Sequence, residues 1–175
     1  ALKLTTRQSD PHPGTRNVHN GQWNYPTVHR FDDYYFIGLD TMQGVFNLSW
    51  YARLWQSFTA AGWLGASQLT KLDAAIKQIR QRSPDATIIL YMHHHPFQFN
   101  FRFRAMQLHD RTQLHRIISN QVDILLFGHN HVEQRLDQEQ RKHGIDVVQV
   151  FGTSTHSSGV PFYEVDASTK GLKRF

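Results

Sequence analysis

Cysteine does not occur in this chain, which excludes disulfides, Cys-type zinc fingers, thiolate catalysis and iron-sulfur clusters. Long apolar runs are also missing. No stretch approaches the roughly 20 residues that a membrane-spanning helix needs, and the start, Ala1 to Thr6, has no signal-peptide core. Both absences lead to the expectation of a cytoplasmic protein with no membrane span. Concentrated charge is a third absence: 19 Lys and Arg face 14 Asp and Glu, a formal +5, yet the excess is spread along the chain without a basic run. That pattern argues against a nucleic-acid partner and suits an anionic substrate or a solvated surface. There is no internal repeat and no low-complexity tract, and 175 residues suffice for one domain with its own core.

Histidine is abundant, with 12 copies, and several fall in two clusters that each follow an apolar run. Val122 to Phe127 leads through Gly128 into His129-Asn130-His131, and Ala86 to Met92 leads into His93-His94-His95-Pro96. Imidazole is the commonest protein ligand for a transition metal, and two copies one residue apart on a turn can address one crevice. If both runs are buried strands of a parallel sheet, the clusters meet at its carboxyl edge, where open α/β sheets bind ligands.

The intervening pattern supports such a sheet. Residues 1–30 read as an irregular leading segment broken by Pro11, Pro13, Gly14, Gly21 and Pro26, and Tyr34 to Asp40 as the first strand, with Asp32-Asp33 as its entry turn. Ser67 to Ser83 places Leu69, Leu72, Ile76 and Ile79 on one helical face, with Ser67 as its cap and Pro84 as its stop. A second helix from about Asp110 to Asn120 turns Leu114, Ile117 and Ile118 inward, with Asp110 as N-cap. The order β-α-β-α-β with short joints predicts parallel pairing through right-handed crossovers. After His131, short strands at Val132 to Leu136, Ile145 to Phe151, Phe162 to Val165 and Leu172 to Phe175 predict a mostly antiparallel meander. The fold class is therefore α/β with a mixed sheet.

Two stretches admit two readings each. Phe46, Trp50, Tyr51, Leu54, Trp55, Phe58 and Trp63 either fill the core, as large side chains at helical spacing usually do, or form a lip or partner patch. Pro96 to Arg104 alternates phenylalanine with polar or basic residues. It is either an amphipathic strand with solvated arginines or a substrate lip in which Arg102 or Arg104 meets an anion.

With Phe36-Ile37-Gly38-Leu39-Asp40-Thr41, an amphipathic helix, His94-His95-Pro96 and Gly128-His129-Asn130-His131 in this order, roughly residues 31 to 166 resemble the calcineurin-like metallophosphoesterases. The resemblance implies an αββα sandwich in a single domain over 1–175 and hydrolysis of a phosphomonoester or phosphodiester by a metal-activated hydroxide. It implies two ions drawn from manganese, iron and zinc, with His94 and His129 as ligands of one and His131 of the other. His95 becomes an outer-shell or substrate-facing residue. The family's Gly-Asp-x-x-Asp and Gly-Asn-His patterns do not occur here, and Asp10-Pro11-His12 matches its Asp-x-His only in letters. The chain thus resembles the C-terminal portion of the fold. Either a missing N-terminal half or another copy is then expected against its exposed apolar face and sheet edge. The competing expectation is a non-catalytic interaction protein that keeps the fold and a partial metal site.

Overall fold

A computed structural model describes residues 25–44, 49–51, 54, 61–97, 107–129, 134–150, 163–166, 169 and 171–174. Six strands form one mixed sheet in the order β1 (Thr27–Phe31), β2 (Tyr34–Gly38), β3 (Thr87–Met92), β4 (Ile124–Phe127), β6 (Val147–Val150), β5 (Gln134–Arg135). Strands β2, β3, β4 and β6 run parallel, and the two edges, β1 and β5, run antiparallel to their neighbours. Two further strands, β7 (Tyr163–Asp166) and β8 (Gly171–Arg174), pair antiparallel in a separate hairpin. The class is α/β, as the alternation of patterns predicts.

Each parallel step past β2 is spanned by a helix: α1 (Ala66–Arg82) joins β2 to β3, α2 (Arg111–Ile118) joins β3 to β4, and α3 (Asp137–His143) precedes β6. Leu69, Leu72, Ile76 and Ile79 of α1 and Leu114 and Ile118 of α2 are buried against Ile37, Ile88, Leu90, Leu125 and Phe127. A fully buried aliphatic side chain contributes about 1.5 to 3 kcal/mol, so this helix-covered face holds most of the stabilisation. Among the described residues the opposite face carries a smaller cluster, Ile89, Ile124 and Val147, with Tyr34, Phe36, Leu126 and Val165 partly buried around it. Tyr91 on β3 and Phe31 on the edge strand are exposed at 40% and 55%.

Three expectations require correction. The leading segment 1–30 is not irregular throughout, because Thr27–Phe31 is β1, folded back on β2 through Asp32-Asp33, with Asp32 at φ 51°. Asp32-Asp33 is therefore a hairpin turn with a strand on each side, a pattern hidden by the polar His29 and Arg30 of an exposed edge. Second, the stretch after His131 is no simple meander. Asp137–His143 is a helix ending at Gly144 in the left-handed region, φ 59°, where glycine is favoured. That helix lets β6 return parallel to β4, as a crossover connection does. Third, Ser67 forms no cap, since α1 begins after Gly65 with no side-chain cap hydrogen bond. Asp110 stands at the start of α2 but turns its carboxylate to the chain entering α1, accepting from Leu64 N at 3.1 Å and Gly65 N at 2.8 Å. One buried acid therefore ties the starts of two helices.

Candidate metal centre

Sheet register brings the residues together. Gly38 pairs with Tyr91 and Met92 with Phe127, so continuing both parallel registers past the strand ends sets Thr41 beside His94 and His94 beside His129. The side chains follow. Thr41 Oγ1 lies 2.5 Å from His94 Nδ1, and the His94 and His129 rings are 4.6 Å apart. His93, ring 4.9 Å from that of His129, completes a triangle in which His129 Nδ1 and His93 Nε2 are 3.0 Å apart. Since two nitrogens share that contact, one ring donates and the other accepts. Backbone pairing holds the tips, with Gly128 N donating to His93 O at 3.1 Å and Leu39 N to Tyr91 O at 3.0 Å.

His129 has φ 77°, a left-handed conformation in which a residue with a side chain is strained by roughly 1 to 2 kcal/mol. Strain of this kind persists where the surroundings over-determine it and gathers at functional sites. His94 is 4% exposed and lies under a strap of backbone. Gly62 crosses the ring so closely that a Cβ there would stand 2.6 Å from His94 Cγ. The strap is fixed on both sides: Trp63 N donates to Thr41 O at 2.6 Å, Gly62 N to Gln107 O at 3.1 Å and His109 N to Gly62 O at 3.0 Å.

His95, expected as an outer-shell or substrate-facing residue, is 2% exposed, packs on Phe127 with ring centroids 4.6 Å apart, and accepts at Nδ1 from Phe97 N at 3.1 Å. Burial, with His129 adding to it and the Phe97 hydrogen bond opposing, pushes its pKa down to about 4, so the ring is neutral at physiological pH. Its place is in the core beneath the edge. His131, Arg102 and Arg104 lie outside the described residues, as do Asp10 and His12. Asp40, two residues past the end of β2, uses Oδ1 to accept from Met42 N at 2.9 Å, while its backbone N and O are both held by the Gln68 amide.

Sequence reasoning named His94 and His129, and the structure brings them together. It passed over Thr41 and Gly62 as site residues and left His93 as a mere neighbour. The signal for Thr41 was available in the equal spacing of the two strand ends; that for Gly62 was not. Among the described residues no group of three or more His, Asp or Glu side chains is arranged to hold a metal ion. His94 has Nδ1 engaged by the Thr41 hydroxyl, an oxygen contact of the kind that orients metal-ligating histidines in proteins that hold an ion. No protein-family model and no curated protein sequence matches the chain.

Proposed function

We propose that the chain is a metal-dependent phosphoesterase, or the C-terminal part of one, acting on a phosphomonoester or phosphodiester. The observation that carries this reading is the pairing of His94 and His129 across two parallel strand tips, one ring held by a hydroxyl and the other strained in its backbone. In this reading His94, His129 and His131 hold the metal, one of manganese, iron or zinc, which would supply charge neutralisation and an activated water for phosphoryl transfer. This chain's own residues orient and exclude: Thr41 and Gly62 fix the His94 ring, and His95 fills the core below. Arg102 and Arg104 meet the anionic oxygens of the substrate, since guanidinium suits phosphate geometry. The family's acidic patterns for a two-ion site, Gly-Asp-x-x-Asp and Gly-Asn-His, do not occur in these 175 residues.

Hydrolysis of a chromogenic phosphodiester with added Mn²⁺, lost in His129→Ala, is the expected result. Ion binding without turnover sinks the catalytic reading and selects the alternative, a non-catalytic interaction protein with a partial metal site. A specific observation favours that alternative: Trp50, Tyr51 and Leu54 are exposed at 66%, 61% and 54%, as a partner surface requires.

A further inference from the structure

A histidine binds a metal through one nitrogen only when that nitrogen has its lone pair, so the proton must sit on the other. His94 Nδ1 faces a hydroxyl, Thr41 Oγ1, which can accept a proton from the ring or donate its own. The two arrangements differ completely in consequence: one leaves a lone pair at Nε2, the other an N–H. Ring orientation is fixed as well. Thr41 is 3% exposed, and the backbone at Gly62 presses on Cγ and Nδ1 of His94, at 2.6 and 2.8 Å from where a Cβ would stand. Those are atoms at the root of the ring, which cannot swing aside as the end of a flexible chain does.

We propose that Thr41 and Gly62 are positioning residues for His94: the Thr41 hydroxyl accepts the Nδ1 proton, the Gly62 strap locks the ring plane, and Nε2 is thereby presented as a preformed metal donor. This rests on the reading of His94 as a ligand. The shared connection is economical, because Trp63 N, next to Gly62, donates to the carbonyl of Thr41 itself. A shift of the strap therefore moves the hydroxyl and the ring together.

The test uses the full chain, ¹⁵N-labelled at histidine, and Zn²⁺ alone as the probe. In the metal-free protein the His94 nitrogens are expected to show a protonated Nδ1 and an unprotonated Nε2. Thr41→Val should abolish that preference and weaken Zn²⁺ binding by roughly 10- to 100-fold, as outer-shell changes do. Thr41→Ser keeps the acceptor and should restore both. Gly62→Ala should act like Thr41→Val, with the His94 signals displaced. An unprotonated Nδ1 in the wild type, or Zn²⁺ affinity and His94 signals unchanged by Thr41→Val, overturns the proposal. If the wild type shows the expected tautomer, lost in Thr41→Val, yet binds no Zn²⁺, the positioning role stands and the metalloenzyme reading falls. If Thr41→Val fails to fold, the wild-type and Thr41→Ser spectra decide the question by themselves.

Discussion

Two groups of histidines in this molecule look alike as lists of residues and differ in what each ring nitrogen meets. At the carboxyl edge, His93, His94 and His129 face one another and the Thr41 hydroxyl at the tips of β3 and β4. Between α2 and α3, His115 and His143 lie 4.5 Å apart and both pack on Phe97, at 5.1 and 5.5 Å. There one nitrogen of each ring bonds within the fold: His115 Nε2 donates to Pro96 O at 2.9 Å, and His143 Nδ1 is 2.9 Å from Ser119 Oγ. The Ser119 hydroxyl proton goes to His115 O at 2.7 Å, so Ser119 accepts from His143 Nδ1. An aromatic ring packed against two neighbouring imidazoles builds a core, whereas the edge group meets a strand end and a hydroxyl. Clustering alone does not tell them apart; the partner of each nitrogen does.

Phe97 is the place to break the second group. It is 2% exposed and touches His95, His115, Phe127 and His143. Phe97→Ala should lower unfolding free energy by about 3 to 5 kcal/mol, the usual cost of emptying an aromatic core position. Urea denaturation measures it. A loss under about 1 kcal/mol shows that the group is not core. At temperatures where the variant stays folded, Zn²⁺ affinity should be close to wild type, because neither of the proposed ligands among the described residues packs on Phe97.

The edge group should respond in the opposite way. His129→Gly removes a proposed ligand and also a strained backbone, since glycine adopts φ 77° without steric cost. Zn²⁺ affinity should fall by more than the roughly 100-fold ceiling of outer-shell changes, while stability rises by about 1 kcal/mol. Titration calorimetry and thermal melts read the two. A variant that loses stability and keeps the ion would reverse the assignment of the two groups.

Proton binding separates them next. Burial, then His143, and more weakly Lys142 and Arg111, hold the His115 pKa down to about 4 against the Pro96 carbonyl, which favours the charged form. Burial lowers His143 too, with Lys142 on the same side and Glu139, its Oε2 3.4 Å from Nε2, opposing. A base whose pKa is depressed in the fold binds fewer protons folded than unfolded, so stability is complete above the ordinary value of 6.5 and declines as pH falls toward 4. After allowance for solvent screening of a partly exposed ring, about 1 to 2 kcal/mol should be lost over that window through His115. Denaturant midpoints at stepped pH measure it, and His115→Phe should flatten the slope. Glu139→Gln removes the group that favours charged His143 and should move its NMR titration further down; an upward move refutes the pairing.

How much of this was legible follows from which forces are local. The continuous run Ile88-Ile89-Leu90 and the i, i+3, i+4 face of α1 announce a buried parallel strand and its covering helix, because burial on both faces leaves no polar alternation. Strand order then placed His94 next to His129. What escaped notice depended on contacts across the fold. Asp110 has the letters of a cap for α2, yet its carboxylate serves Leu64 and Gly65, because those amides lack partners of their own and lie within reach only after α1 and α2 pack. Asp123 is similar: a polar residue in an apolar run, it accepts from Ile88 N at 2.7 Å and pairs with Arg80 at 2.8 Å, fastening α1 to the start of β3 and β4. Edge strand β1 escaped because its outward residues are His29 and Arg30.

The smallest expected effect decides one of the two stretches for which two readings were open. Tyr51 and Leu54 share helical spacing with the aromatics around them, and large side chains at such spacing normally fill a core. Instead both are exposed, and Trp50 stacks on Tyr51 with ring centroids 3.7 Å apart while remaining 66% exposed. A stack of that kind satisfies the rings with each other and buries little against the sheet. Replacing Trp50 and Tyr51 with serine should therefore change unfolding free energy by less than about 0.5 kcal/mol each, the range of surface substitutions. Solubility should improve as the apolar patch shrinks. A loss near 3 kcal/mol, the cost of a buried aromatic, would return these residues to the core and remove the observation that favours a partner surface.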